Sequence, residues 1–184
     1  ALARRFIAER TWDFTFTGAT VYSRRVIDWW RGDPQHRPYP NFPHLSIILA
    51  YLASHPTLDI AWIGERLVTN NPRKTQSYWL ADPVPVWAHD WHRVVTANAG
   101  AFDAPSLPTI LRSHSRHTRL LGLKHLVVLR AAGRLDSAVL ARYRAEISAC
   151  SSAGWVGVRA VASLQRAVAN AIVGERPSWR RRNL

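Results

Sequence analysis

Hydrophobic and polar positions change period several times along this chain, and each change marks an expected element. Residues 11–22 alternate, with Trp12, Phe14 and Phe16 on one side and Asp13, Thr15 and Thr17 on the other, the period of a strand or an extended arm. Arg24–Trp30 suits a short helix stopped by Gly32, Asp33 and Pro34. Four prolines between positions 34 and 43 then predict a stiff linker without a regular ladder. From His44 the period becomes helical: Leu45, Ile48, Leu49 and Leu52 form one stripe, and Ile60, Ile63, Leu67 and Val68 a second after the break at His55-Pro56-Thr57. A turn-rich stretch with Pro72, Pro83 and Pro85 leads to a helix over Val86–Ala97, followed by a loop holding Pro105 and Pro108.

Beyond Thr118 the pattern is almost wholly helical. Leu120, Leu123, Leu126, Val127 and Leu129 predict one helix ended by Gly133. Leu135, Val139, Leu140, Tyr143 and Ile147 predict a second, with Asp136 in the first turn, where a negative charge suits the helix dipole. A third runs from Val156 to Val173 and closes at Gly174, with Pro177 just beyond. The elements together predict a mainly-α fold, an irregular bundle of helical hairpins with an extended, Pro-rich N-terminal arm. Three segments follow: 1–43, arm and linker; 44–110, a hairpin with Pro-rich loops; and 111–184, a basic helical lobe with a short Arg-rich tail. Trp12, Phe14 and Phe16, alternating aromatics followed by the four prolines, and Trp29 and Trp30, beside a polar turn, are expected to anchor the arm on a partner.

Charge separates the two halves. Residues 1–92 carry ten Lys/Arg against eight Asp/Glu, a net +2, whereas residues 93–184 carry fifteen against four, a net +11. Such an excess exceeds what solubility requires and marks a surface for a polyanion. Twenty-three of the 25 basic residues are arginine; GC-rich coding accounts for the ratio but not for the net charge, and the planar guanidinium suits phosphate. The expected polyanion contacts are Arg112, Arg116, Arg119, Lys124, Arg130, Arg134, Arg142, Arg144, Arg180, Arg181 and Arg182. The steps of four and three among Arg112, Arg116 and Arg119 place them on one helical face.

A repeat near 35 residues aligns Gly122 with Gly157, Lys124 with Arg159, Leu126 with Val161 and Leu129 with Leu164. Within it, Leu126–Ile147 (LVVLRAAGRLDSAVLARYRAEI) resembles a pentatricopeptide-type hairpin: an apolar first helix, a small-Gly-Arg-Leu-Asp turn, Ala138 and a second helix with an aromatic residue. The resemblance covers residues 122–170, about a third of the chain, and implies an RNA-associated organellar protein. A continuous array is missing, so it does not imply readout of one base per repeat.

Other chemistry has little support. His89-x-x-His92 and His114-x-x-His117 have a spacing that can hold a metal, but no converging ligand set accompanies them, and the second pair lies among arginines. There is no Gly-rich phosphate loop, no nucleophile elbow and no close pair of acids. The lone Cys150 cannot form an internal disulfide and suits a reducing compartment. No enzyme activity, cofactor, metal or small-molecule substrate is expected. The chain opens Ala-Leu-Ala-Arg-Arg and contains no Met, as expected after removal of a transit peptide.

The expectation is therefore a structural subunit bound to ribosomal RNA and neighbouring subunits of a large organellar ribonucleoprotein, a lineage-specific protein of the mitochondrial ribosome on the matrix side. The alternative is an accessory structural subunit of a mitochondrial inner-membrane complex, an ATP synthase or respiratory complex, with the same arginines on anionic lipid and acidic subunits. A bacterial DNA-associated protein is a third reading.

Overall fold

Local hydrogen bonds override the alternating pattern at the N-terminus. A computed structural model of the chain describes residues 2–15, 21–32, 39, 41–55 and 82–174, and among them it contains ten α-helices and no strand. The mainly-α expectation holds. Helix α1 is Leu2–Arg10 and buries Ile7; Thr11 caps it by donating its hydroxyl to the Ile7 carbonyl, and Arg5 pairs with Glu9 one turn on. Asp13–Thr15 then forms a 3-10 turn rather than a strand, held by the Thr15 hydroxyl on the Trp12 carbonyl. In its described residues the expected extended arm is thus helical, and most of the Pro-rich linker lies outside them.

The chain divides into two units that interleave in sequence: residues 1–70 with 93–113, and residues 71–92 with 114–184. Two of its borders, 92/93 and 113/114, fall inside helices, α4 (Trp91–Ala97) and α5 (Leu107–Thr118).

In the first unit, α2 (Arg24–Gly32) packs on α3 (Pro43–Ser54). Pro43 opens α3, where a missing N–H costs nothing. Leu45, Ile48, Leu49 and Leu52 are buried, as their spacing predicts, and the second stripe of that hairpin lies outside the described residues. Val26, Ile47 and Tyr51 form a core that Tyr22, Trp29 and Trp30 cover, and Tyr22 donates to the His44 carbonyl at 2.7 Å.

In the second unit a π-type turn, Pro85–Asp90, precedes α4 and buries Val86, Trp87 and Ala88. Helices α6 (Leu123–Ala131), α9 (Gly154–Ser163) and α10 (Arg166–Val173) pack with α6 in the middle, and α8 (Arg144–Cys150) lies on the π turn. Gly133 ends α6 in the left-handed region at φ 75°, and Asp136 starts α7 (Ser137–Arg142) by accepting the Val139 N–H at 2.8 Å. Two breaks depart from the sequence pattern. Tyr143 (φ −119°, ψ 28°) splits the expected second helix into α7 and α8, and Leu164 and Gln165, both extended, split the third into α9 and α10. Helix α5 starts inside the loop expected around Pro105 and Pro108, and Pro108 sits in its first turn, which tolerates proline.

The Gly133 turn lies under the Arg166 side chain, so that an added Cβ would come within 3.2 Å of its guanidinium carbon. Gly154 also has positive φ (66°) but open space around it. Both Gly→Ala substitutions should cost about 1–2 kcal/mol for the left-handed backbone. Gly133→Ala should cost measurably more than Gly154→Ala in urea unfolding, because it also displaces Arg166. Equal costs would mean that Arg166 gives way freely.

Candidate nucleic-acid interface

The basic residues of the second half fall into two groups with different work. Arg130 is half-buried; its Nε donates to the Leu164 carbonyl at 2.7 Å and its Nη1 to the Leu135 carbonyl at 3.3 Å. Arg166, although itself exposed, donates in the opposite direction, from Nε to the Ala131 carbonyl at 3.0 Å. These two guanidiniums serve carbonyls at the end of α6, in the turn after it and at the break between α9 and α10, groups that a helix leaves without partners. Arg130 is therefore committed to the fold, although its sequence position suggested a phosphate contact.

The other group faces solvent. Arg116, Lys124, Arg134, Arg142, Arg144 and Arg159 are exposed, and so is Arg119. Among the described residues none of these seven pairs with a carboxylate. Two of this unit's acids are engaged elsewhere: Asp136 caps α7, and Glu146 accepts from His89 Nδ1 at 3.0 Å. The Arg142 guanidinium lies 5.1 Å from the Tyr143 ring centroid, and that of Arg144 lies 5.1 Å from the Trp155 ring. Arg159, absent from the expected contact set, is exposed on α9 just as its repeat partner Lys124 is on α6; their alignment at 35 residues was the available signal.

The single face expected from Arg112, Arg116 and Arg119 does not form. Helix α5 ends at Thr118, and Arg119 follows it in the left-handed region at φ 62°, so its side chain leaves the helical register. Arg112 is half-buried, with its Nε shielded from solvent and unbonded. The tail arginines Arg180, Arg181 and Arg182 lie outside the described residues, as does Phe16. Of the other expected partner anchors, Phe14 is buried in the first unit and Trp12 is half-buried, because the 3-10 turn folds them back on their own unit. Trp29 and Trp30 are likewise half-buried against α3, Trp29 edge-on to Tyr51 at 5.2 Å.

Histidines hold structure here. His114 is fully buried between Trp87 (5.2 Å) and Trp91 (5.1 Å), and burial pushes its pKa down to about 3, the Trp87 backbone offsetting only part of that penalty. Leu121, a buried residue at φ 56°, has both backbone groups held: its N–H donates to His125 Nδ1 at 3.0 Å and its carbonyl accepts from the Ser151 hydroxyl at 2.7 Å. His125 must be neutral at Nδ1 to accept, and burial lowers it to about 4. Burial also lowers His44 and His92. No group of three His, Cys, Asp or Glu side chains able to hold a metal occurs among the described residues. No protein-family model, curated protein or solved structure matches the chain.

Two expectations follow. A histidine whose folded pKa is depressed contributes its full stability above about pH 6.5 and loses it as pH falls, because the unfolded chain takes up protons that the folded one refuses. His114 and His125 should each remove up to about 1.4 kcal/mol per pH unit below 6.5, until pH approaches their folded values. Urea midpoints should therefore drop between pH 7 and 5, and His114→Phe should flatten part of that slope; unchanged midpoints down to pH 5 would contradict it. Separately, Arg130→Gln and Arg166→Gln should each destabilise by about 1.5–3 kcal/mol, the usual range for a hydrogen bond from a charged donor. Arg134→Gln and Arg159→Gln should stay within about 0.5 kcal/mol of the unsubstituted chain.

Proposed function

We propose that this chain is a structural subunit that binds ribosomal RNA within a large organellar ribonucleoprotein, as a lineage-specific protein of the mitochondrial ribosome on the matrix side. The observation that carries the reading is a set of seven exposed basic side chains in the second unit that have no acidic partner and, unlike Arg166, donate no hydrogen bond to the fold among the described residues. Ordinary surface charge is interspersed with opposite charge; an uncompensated set destabilises the isolated lobe by mutual repulsion and favours a bound polyanion. Phosphate contacts of this kind position a protein on nucleic acid without reading its bases. This reading assigns the chain no catalytic step and requires no cofactor or small-molecule substrate.

A second reading has its own observation. Leu123 and Val156 are 56% and 83% exposed, and Leu123 lies against Gly157, so apolar side chains neighbour Lys124 and Arg159. Apolar side chains beside guanidiniums also fit the surface of an anionic bilayer, as in an accessory subunit of an ATP synthase or respiratory complex. Among the described residues no helix is long and apolar enough to cross a membrane.

Native protein should co-sediment with ribosomal subunits rather than with detergent-extracted respiratory complexes. With about six phosphates contacted, affinity for ribosomal RNA should fall by roughly three orders of magnitude between 50 and 200 mM salt. The triple substitution Arg116→Gln, Arg134→Gln and Arg159→Gln should flatten the logarithmic salt slope by about two to three units while leaving the melting temperature in place. Tight binding to anionic vesicles with none to RNA would move the assignment to the second reading.

A further inference from the structure

The described aromatic side chains of the second unit have ring faces occupied from within the chain. Trp87 and Trp91 are buried against His114. Tyr143 is buried, with His89 tilted against it at 5.5 Å and the Arg142 guanidinium over its ring. Trp155 is half-buried and carries the Arg144 guanidinium. None of the unit's described Trp and Tyr side chains is exposed, whereas eight basic side chains are.

These two facts select between modes of nucleic-acid recognition. Unpaired bases are recognised chiefly by splaying them onto open aromatic faces, and the described surface of this unit offers no open Trp or Tyr face. Base-paired RNA buries its base faces and presents regularly spaced phosphates and 2′-hydroxyls, which need hydrogen-bond donors and positive charge instead. A guanidinium stacked on a ring suits that role. Its plane is held by the ring while its N–H groups, arrayed in the plane, remain able to grip a phosphate with two parallel bonds.

We propose that the second unit binds a base-paired segment of RNA through its phosphates, with Arg142 and Arg144, pre-oriented on Tyr143 and Trp155 on either side of the α7–α8 break, as two of the contacts. This rests on the reading of the polyanion as RNA. The class of ligand is thereby narrowed to a helical stem, recognised by shape and charge rather than by sequence.

The full chain can be titrated by fluorescence anisotropy with a labelled RNA duplex of about 20 base pairs, roughly the length that duplex-binding domains span, and with an unstructured single strand of equal length. The duplex should bind about tenfold more tightly or better, and scrambling its sequence should leave the affinity within about twofold. Arg142→Gln with Arg144→Gln should flatten the duplex salt slope by about two units, close to one per phosphate contact. Trp155→Phe should change single-strand affinity by less than about twofold. A single strand that binds as tightly as the duplex would overturn the proposal, as would an unchanged slope in the folded double variant, checked by thermal melting. Binding to neither RNA would reject the underlying assignment itself, a result distinct from a reversed preference.

Discussion

The second unit depends on supplying hydrogen bonds to backbone carbonyls where its helices stop. Helix α6 lies between α9 and α10, and the chain passes between those two only by becoming extended at Leu164 and Gln165. An extended step inside a packed helical layer frees carbonyls that water cannot fully reach, and an unbonded buried carbonyl costs as much as a lost hydrogen bond. Arg130 and Arg166 meet that demand reciprocally, one reaching from α6 to the break and the other from α10 back to the end of α6. Gly133 leaves room for the second of them. Helix packing, turn geometry and two charges are thus settled by one pair of bonds.

With those charges committed, the remaining basic residues stand apart. Asp136 caps a helix and Glu146 meets a histidine, and no described carboxylate pairs with the exposed arginines of this unit. The fold does not need these side chains for its own bonds, apart from the stacking of two guanidiniums on aromatic rings. They remain available for a ligand, and a phosphate chain is the complement we propose for them.

Much of the helical content was legible in the sequence, and the residues explain both the successes and the failures. Leu45, Ile48, Leu49 and Leu52 repeat at a helical period and are buried; Gly133 and Asp136 punctuate where a turn residue and an N-cap belong. The breaks at Tyr143 and at Leu164–Gln165 left no such mark, since neither involves glycine or proline. Trp12, Asp13, Phe14 and Thr15 alternated by chance of composition, while the Thr11 hydroxyl and the preceding helix decided the local structure. Pro105 and Pro108 suggested a loop, although a proline in the first turn is compatible with the helix found there. The candidate site was legible in its charge and not in its membership. Nothing near Arg130 in sequence announces that its acceptor lies 34 residues away, and nothing near Arg119 announces the left-handed turn that takes it off the helix.

The two reciprocal bonds also bear on the chain's unusual ratio of arginine to lysine. In both, the donor is Nε, an N–H partway along the side chain that lysine does not possess. Positions 130 and 166 are consequently closed to lysine whatever the base composition of the coding sequence, whereas an exposed position such as 134 or 159 keeps its charge with either residue. Among distant descendants of this chain, arginine and lysine should interchange freely at solvent-facing positions that carry no ring partner, such as 134 and 159, and stay fixed at 130 and 166, so the pattern of drift itself would mark the side chains that hold the fold.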